Sequence, residues 1–288
     1  MTLTQFPDHF DDFPSSPLGS MDATELYESF LQFDELARNI PKKQLGSDPQ
    51  AAMYDLLQEV HSARKAQGVL YRKKVDANEA LMRLWLSRVR QKAQLFVTLN
   101  EVPPFTEMTA RDLVDFARLS VDVGNLLKLH KMLLNRGIVL VLERAIPGMK
   151  LDGVVFSFED GHPVIGLSLR YSRLDIFWFT LMHELAHIVL HHHLLSEPIL
   201  EDLDNAPEGV VEAQADRLAR DSLISRSDWR SSPVKYSSSE ANLRSFSAKV
   251  GVHPSITAGR LQRELGRSNI FVAIINEVNV RKVFFGDE

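Results

Sequence analysis

The chain has 288 residues, 44% of them hydrophobic and 25% charged, with a formal net charge of -5. That length can bury a full core and hold one catalytic domain plus an extension, and the acidic balance argues against a whole-chain nucleic-acid binder. The absence of cysteine excludes disulfides, thiolate metal sites and a cysteine nucleophile, so any metal must be held by imidazole and carboxylate. No apolar run reaches the roughly eighteen residues needed to cross a bilayer. The N-terminus MTLTQFPDHFDDF is acidic where a signal peptide is basic and then apolar. A cytoplasmic protein with no membrane association is expected.

Residues 1–22 mix Pro7, Pro14 and Pro17 with aspartates and serines without periodicity and read as a disordered tail. From Met53 to Lys92 the segments AAMYDLLQEVHSARKAQ and ANEALMRLWLSRVRQKAQLF predict two amphipathic helices, with Leu81, Leu84, Trp85, Val89 and Leu95 near a 3.6 period. Between Arg64 and Lys92, the basic residues Arg64, Lys65, Arg72, Lys73, Lys74, Arg83, Arg88, Arg90 and Lys92 stand against only Asp76 and Glu79, a pattern read as solvated helix faces. Residues 23–105 are therefore taken as a helical, partner-binding extension, and 106–288 as the catalytic domain. Pro103 and Pro104 break the chain, and Thr109 with Asp112 forms a capping box for the helix ARDLVDFARLS. A helix over GNLLKLHKMLLNRG leads into the strand IVLVLE, and GVVFSF and PVIGLSLR flank the turn Glu159-Asp160-Gly161-His162 as a hairpin.

RLDIFWFTLMHELAHIVLHHH follows, apolar almost all round and so a buried central helix. Thr180, His183, Glu184, His187 and His191 form one polar stripe on it. A buried carboxylate beside imidazoles is costly unless a cation compensates. His183 and His187, four apart on a helix, point the same way and can share one ion, while Glu184, displaced around the helix, suits a general base. His193 is a tempting third ligand, but the arrangement that would use it needs glycine where Leu190 stands. His191 lies about 12 Å along the axis from His183, too far to share the ion, so the histidine run reads as polar residues where the helix meets solvent. NAPEGVVEAQADRLARDSLI, capped by Asn205 with Pro207 in its first turn, predicts a second helix over 206–224. On it Glu212 completes the metal shell and Asp216, four residues on, orients a ligand histidine. Helices over 240–250 and 254–265 and a final pair of strands, IFVAII and VRKVFF, end the chain.

HELAH followed by Glu212-Ala-Gln-Ala-Asp-Arg-Leu-Ala219 resembles the ImmA/IrrE family of bacterial zinc metallopeptidases, whose pattern is HELxH and then ExEANxFA. Gln214, Asp216 and Leu218 depart from the family's Glu, Asn and Phe, and no proline follows near Ser225. The resemblance runs over about residues 70–285. It implies a zincin-like α+β fold, a small, mostly antiparallel sheet packed on a central HExxH helix, and a zinc endopeptidase acting on a separate Xre-type repressor or antitoxin in a toxin–antitoxin or stress-response system. The Xre helix-turn-helix that often opens longer members is not found in residues 1–70. Two other readings stand beside this one: a metal-binding regulator that acts by protein binding without turnover, and a DNA-binding regulator through residues 246–265, with Gly251 in the turn of a helix-turn-helix.

Overall fold

A computed structural model describes residues 23–67, 77–196, 198–201, 209–236 and 239–286. The expected tail, Asn205 and Pro207 lie outside the described residues, as do Arg72, Lys73, Lys74 and Asp76. Four strands, β1 (Val139–Leu142), β2 (Gly153–Ser157), β3 (Pro163–Leu167) and β4 (Ile199–Glu201), form one sheet in the order β1-β3-β2-β4. β2 and β3 are the expected hairpin, in register from Gly153 opposite Leu167 to Ser157 opposite Pro163. Gly161 at φ 86° takes the left-handed conformation that its turn requires. Only the β1–β3 pair is parallel.

Both faces of the sheet are covered, which is why its strands read as continuous apolar runs rather than alternating ones. Leu140, Val155, Ile165 and Leu167 point into one core, built on α6 (Leu174–His191). Val139, Val141, Val154, Phe156 and Val164 point into the other. That second core is filled from the N-terminal helices α1 (Ala23–Arg38), α2 (Pro49–Gln67) and α3 (Ala77–Leu99). A methyl group on Gly166 would fall 2.8 Å from Val89 and 3.2 Å from the Trp85 ring, so the bare glycine lets α3 lie directly on β3.

α4 (Ala110–Arg118), α7 (Gly209–Leu223) and α10 (Pro254–Leu265) pack on α6, and α9 (Glu240–Val250) packs on α10. Thr109 and Asp112 make the expected capping box at the start of α4. The helix expected over GNLLKLHKMLLNRG is split into a 3-10 stretch, Val123–Lys128, and α5 (Leu129–Leu134), because the Asp122 carboxylate caps the Gly124 amide and tightens the first turn. α8 (Arg226–Arg230) follows α7.

The expected C-terminal strands are a correction. IFVAII and VRKVFF form the short helices α11 (Val272–Ile275) and α12 (Val280–Phe285). Asn279 caps α12 by accepting from the Lys282 amide, and Phe284 packs on Phe177 of α6 at 5.4 Å. A short apolar run fits either state by periodicity, and here helical bonds win over sheet pairing, leaving only an isolated bridge between Arg173 and Asn279. No helix among the described residues is long and apolar enough to cross a membrane.

Candidate metal centre

α6 and α7 pack side by side and carry the cluster between them. Being surrounded by core, α6 buries its whole polar stripe, Thr180, His183, Glu184, His187 and His191. The structure brings His183, His187 and Glu212 together: His183 Nε2 lies 2.9 Å from His187 Nε2 and 3.1 Å from Glu212 Oε2, and His187 Nε2 lies 3.5 Å from the same oxygen. Donors bound tetrahedrally to zinc at about 2.0–2.1 Å are about 3.3 Å apart, so the triangle has the right dimensions.

The outer partners decide the tautomers. His183 Nδ1 faces Asp216 Oδ1 at 3.2 Å and donates to it, while Asp216 Oδ2 accepts from Arg220 at 3.0 Å. His191 Nε2 faces Gln214 Oε1 at 3.0 Å and donates there, which leaves its Nδ1 to accept from His187 Nδ1 at 3.1 Å. With both Nδ1 atoms protonated, both Nε2 lone pairs and a carboxylate oxygen face one point. Three acceptors this close repel unless a proton or a cation sits among them. The donor set of two imidazoles and a carboxylate is compatible with zinc.

The electrostatics agree. Burial alone would raise the Glu212 pKa, but His183 and His187 outweigh it and hold the carboxyl at about 2. Asp216 is likewise lowered, burial opposing and His183 and Arg220 prevailing. Desolvation, partly offset by Glu212, pushes His187 below its usual value and favours the neutral ring that a metal needs. Glu184 is fully buried. β2 approaches it so closely that a methyl group on Gly153 would fall 2.1 Å from Glu184 Oε1.

His191 is the residue that reading the sequence undervalued. It is buried and braces His187 rather than emerging into solvent, and its spacing of four from His187 was the available signal. His192 stacks on Phe105 at 4.7 Å, and His193 is exposed in the turn after α6. Leu190 continues the helix. Neither strand of the hairpin has a free edge: β2 pairs with β4 and β3 with β1, so the outer edge on that side belongs to β4.

α9 and α10 meet at Gly251, in the left-handed conformation, as a helix-turn-helix would. α10 nonetheless buries Ile256, Thr257, Ala258, Gly259, Leu261 and Gln262, with Gly259 against Asp175 of α6. Arg260 donates to the carbonyl of Ile224, and His253 caps α10 through Nδ1.

The model of the IrrE N-terminal-like domain, a peptidase family, matches residues 135–262, a narrower span than the resemblance read from motifs. No curated protein matches the chain. The matched segment, somewhat under half of the chain, holds the sheet, both helices of the cluster and most of α10, and over that segment the chain is similar to the ImmA/IrrE peptidases.

Proposed function

We propose that the chain is a zinc-dependent endopeptidase that cleaves a regulatory protein of the Xre-type repressor or antitoxin class, in the cytoplasm, as part of a toxin–antitoxin or stress response. The observation that carries the peptidase reading is the convergence of two imidazole lone pairs and one carboxylate at 2.9–3.5 Å, with a buried carboxylate on the next residue of the same helix. In this reading His183, His187 and Glu212 hold the ion, and Asp216 fixes the ring of His183. Zinc, when bound, supplies Lewis acidity toward the scissile carbonyl and makes water more acidic. Glu184 takes the proton of the attacking water on its carboxylate and returns it to the leaving nitrogen.

Gly153, against Glu184, pairs with Glu201 of β4. The outer edge of β4 is the edge that an extended substrate could join on this side, two strand spacings, about 9–10 Å, from Gly153. The substrate class rests on family resemblance alone.

The test mixes the purified protein with a candidate Xre-type repressor, with and without chelator. Glu184→Gln should lower cleavage by about 10²–10⁴-fold while elemental analysis still finds zinc, and Glu212→Ala should lose zinc. A fully active Glu184→Gln variant sinks the mechanism. Complex formation without cleavage by the unaltered protein would make it a binding module instead.

A further inference from the structure

A cavity of about 400 Å³ lies between α6 and α7 and against α10, within the range of small-ligand sites. Ile176, Phe179, Leu223, Ile224 and Ile256 give it apolar walls. The charged lining is one-sided: Arg173, Arg220, Arg260, Arg263 and Arg267 against the single acid Asp175.

Two of these arginines are neutralised. Arg173 forms a bidentate pair with Asp175, and Arg220 pairs with Asp216. The other three keep their charge. Arg260 bonds only to carbonyl oxygens and lies over the Trp229 ring at 4.6 Å. Arg263 lies over the Phe179 ring at 4.8 Å, and neither Arg263 nor Arg267 forms an ion pair with another described residue. Gly266 turns the end of α10 so that the Arg267 amide bonds back to the Gln262 carbonyl, which keeps Arg267 at the rim. None of the three forms an ion pair among the described residues, although Asp221 and Glu264 act on Arg260 and Asp216 on Arg263 from farther off, so the wall keeps more positive charge than one carboxylate needs. The three guanidiniums match a phosphate ester, with nearly two charges and three strong acceptor oxygens.

The cavity stands behind the metal cluster. His183 turns Nε2 toward Glu212 and His187 but Nδ1 toward Asp216, whose other oxygen holds Arg220 of the cavity wall. A molecule here is therefore not the peptide under cleavage, yet it touches the hydrogen-bond chain that orients a ligand histidine.

We propose that this cavity binds a small organic phosphate, its phosphate on Arg260, Arg263 and Arg267 and its apolar body on Phe179, and that the anion draws Arg220 away from Asp216. Freed from Arg220, Asp216 holds His183 more strongly, so anion and zinc strengthen each other's binding. The coupling rests on the metal-site reading. The binding does not.

The test is calorimetric titration of the zinc-loaded and metal-free full chain with AMP and with inorganic pyrophosphate, using adenosine and an acidic hexapeptide as controls. AMP or pyrophosphate should bind and adenosine should not, and the paired change Arg263→Ala with Arg267→Ala should weaken binding at least ~10-fold, because these charge-assisted contacts are lost. Both side chains are exposed at the rim, so the variant should fold, as circular dichroism would verify; the paired change to lysine, which keeps charge but not the planar fork, should bind with intermediate strength. Binding to neither phosphate probe, binding unaffected by the alanine pair, or capture of the hexapeptide alone would overturn the site. Affinity should be on the order of fivefold higher in the zinc-loaded protein. Equal affinity in the two states, or failure of the protein to take up zinc, would overturn the coupling alone, since the metal-free titration still decides the site.

Discussion

The rings of His183 and His187 are each held at both nitrogens, the outer one by a partner that fixes the tautomer: Asp216 for His183, His191 for His187. Asp216→Asn keeps the shape but replaces a charged acceptor with a weaker amide. It should lower zinc affinity about 10–100-fold, measured by chelator competition, with the fold unchanged by circular dichroism; unaltered affinity would show that Asp216 does not orient the ring. Much of this was legible in the sequence at the scale of single residues. HExxH fixes the His183–His187 spacing by helical geometry alone, and Glu212 with Asp216 repeats that spacing on a second helix. Gln214 as the end of the His187–His191 chain was not legible, because it depends on how α7 is rotated against α6. Nor was the approach of Gly153 to Glu184, which links a strand to a helix.

Among the elements, α10 shows how a local cap can carry a pH dependence. His253 caps it by accepting the Ser255 amide on Nδ1, with Pro254 as the first helical residue. Burial pushes the His253 pKa below its usual value, and the charges of Glu277 and Arg244 act in opposite directions on it. The unfolded chain therefore takes up the proton first. The cap's contribution is complete above the unfolded pKa near 6.5 and is lost as pH falls through the lower folded value. His253→Asn, which caps without titrating, should match the unaltered protein at pH 7 within about 1 kcal/mol and lose less stability between pH 7 and pH 5, as denaturant midpoints would report. An equal loss in both would exclude this cap as the source. The helices over 240–250 and 254–265 were legible because Ser239, Gly251, Pro254 and Gly266 punctuate them in sequence. α11 and α12 were not: their apolar runs suit a strand as well as a helix, and tertiary packing, α11 on α10 and Phe284 of α12 on Phe177, selects the helix.

Across the whole molecule, the sheet is a shared wall between two cores, one built on α6 and the other on α1–α3. Trp85 is fully buried in the second core, and its ring nitrogen donates to the Glu143 carbonyl at 3.2 Å. Trp85→Ala should cost about 3–5 kcal/mol and lower the denaturation midpoint reported by probes on α6 as well as on α3. Destabilisation confined to the N-terminal helices would show that they do not support the catalytic sheet. What the sequence determined by itself is the set of features held within one turn or one helix: the capping box, the hairpin turn, the apolar central helix and the spacing of the histidine and acidic pairs. These are local because backbone periodicity and short-range hydrogen bonds set them. Only the tertiary structure decided that Glu212 reaches His183, that Gly153 admits Glu184, that β4 closes the hairpin's edge and that arginines without ion pairs gather behind the cluster. Each of these depends on the relative placement of elements distant in the chain, which packing sets.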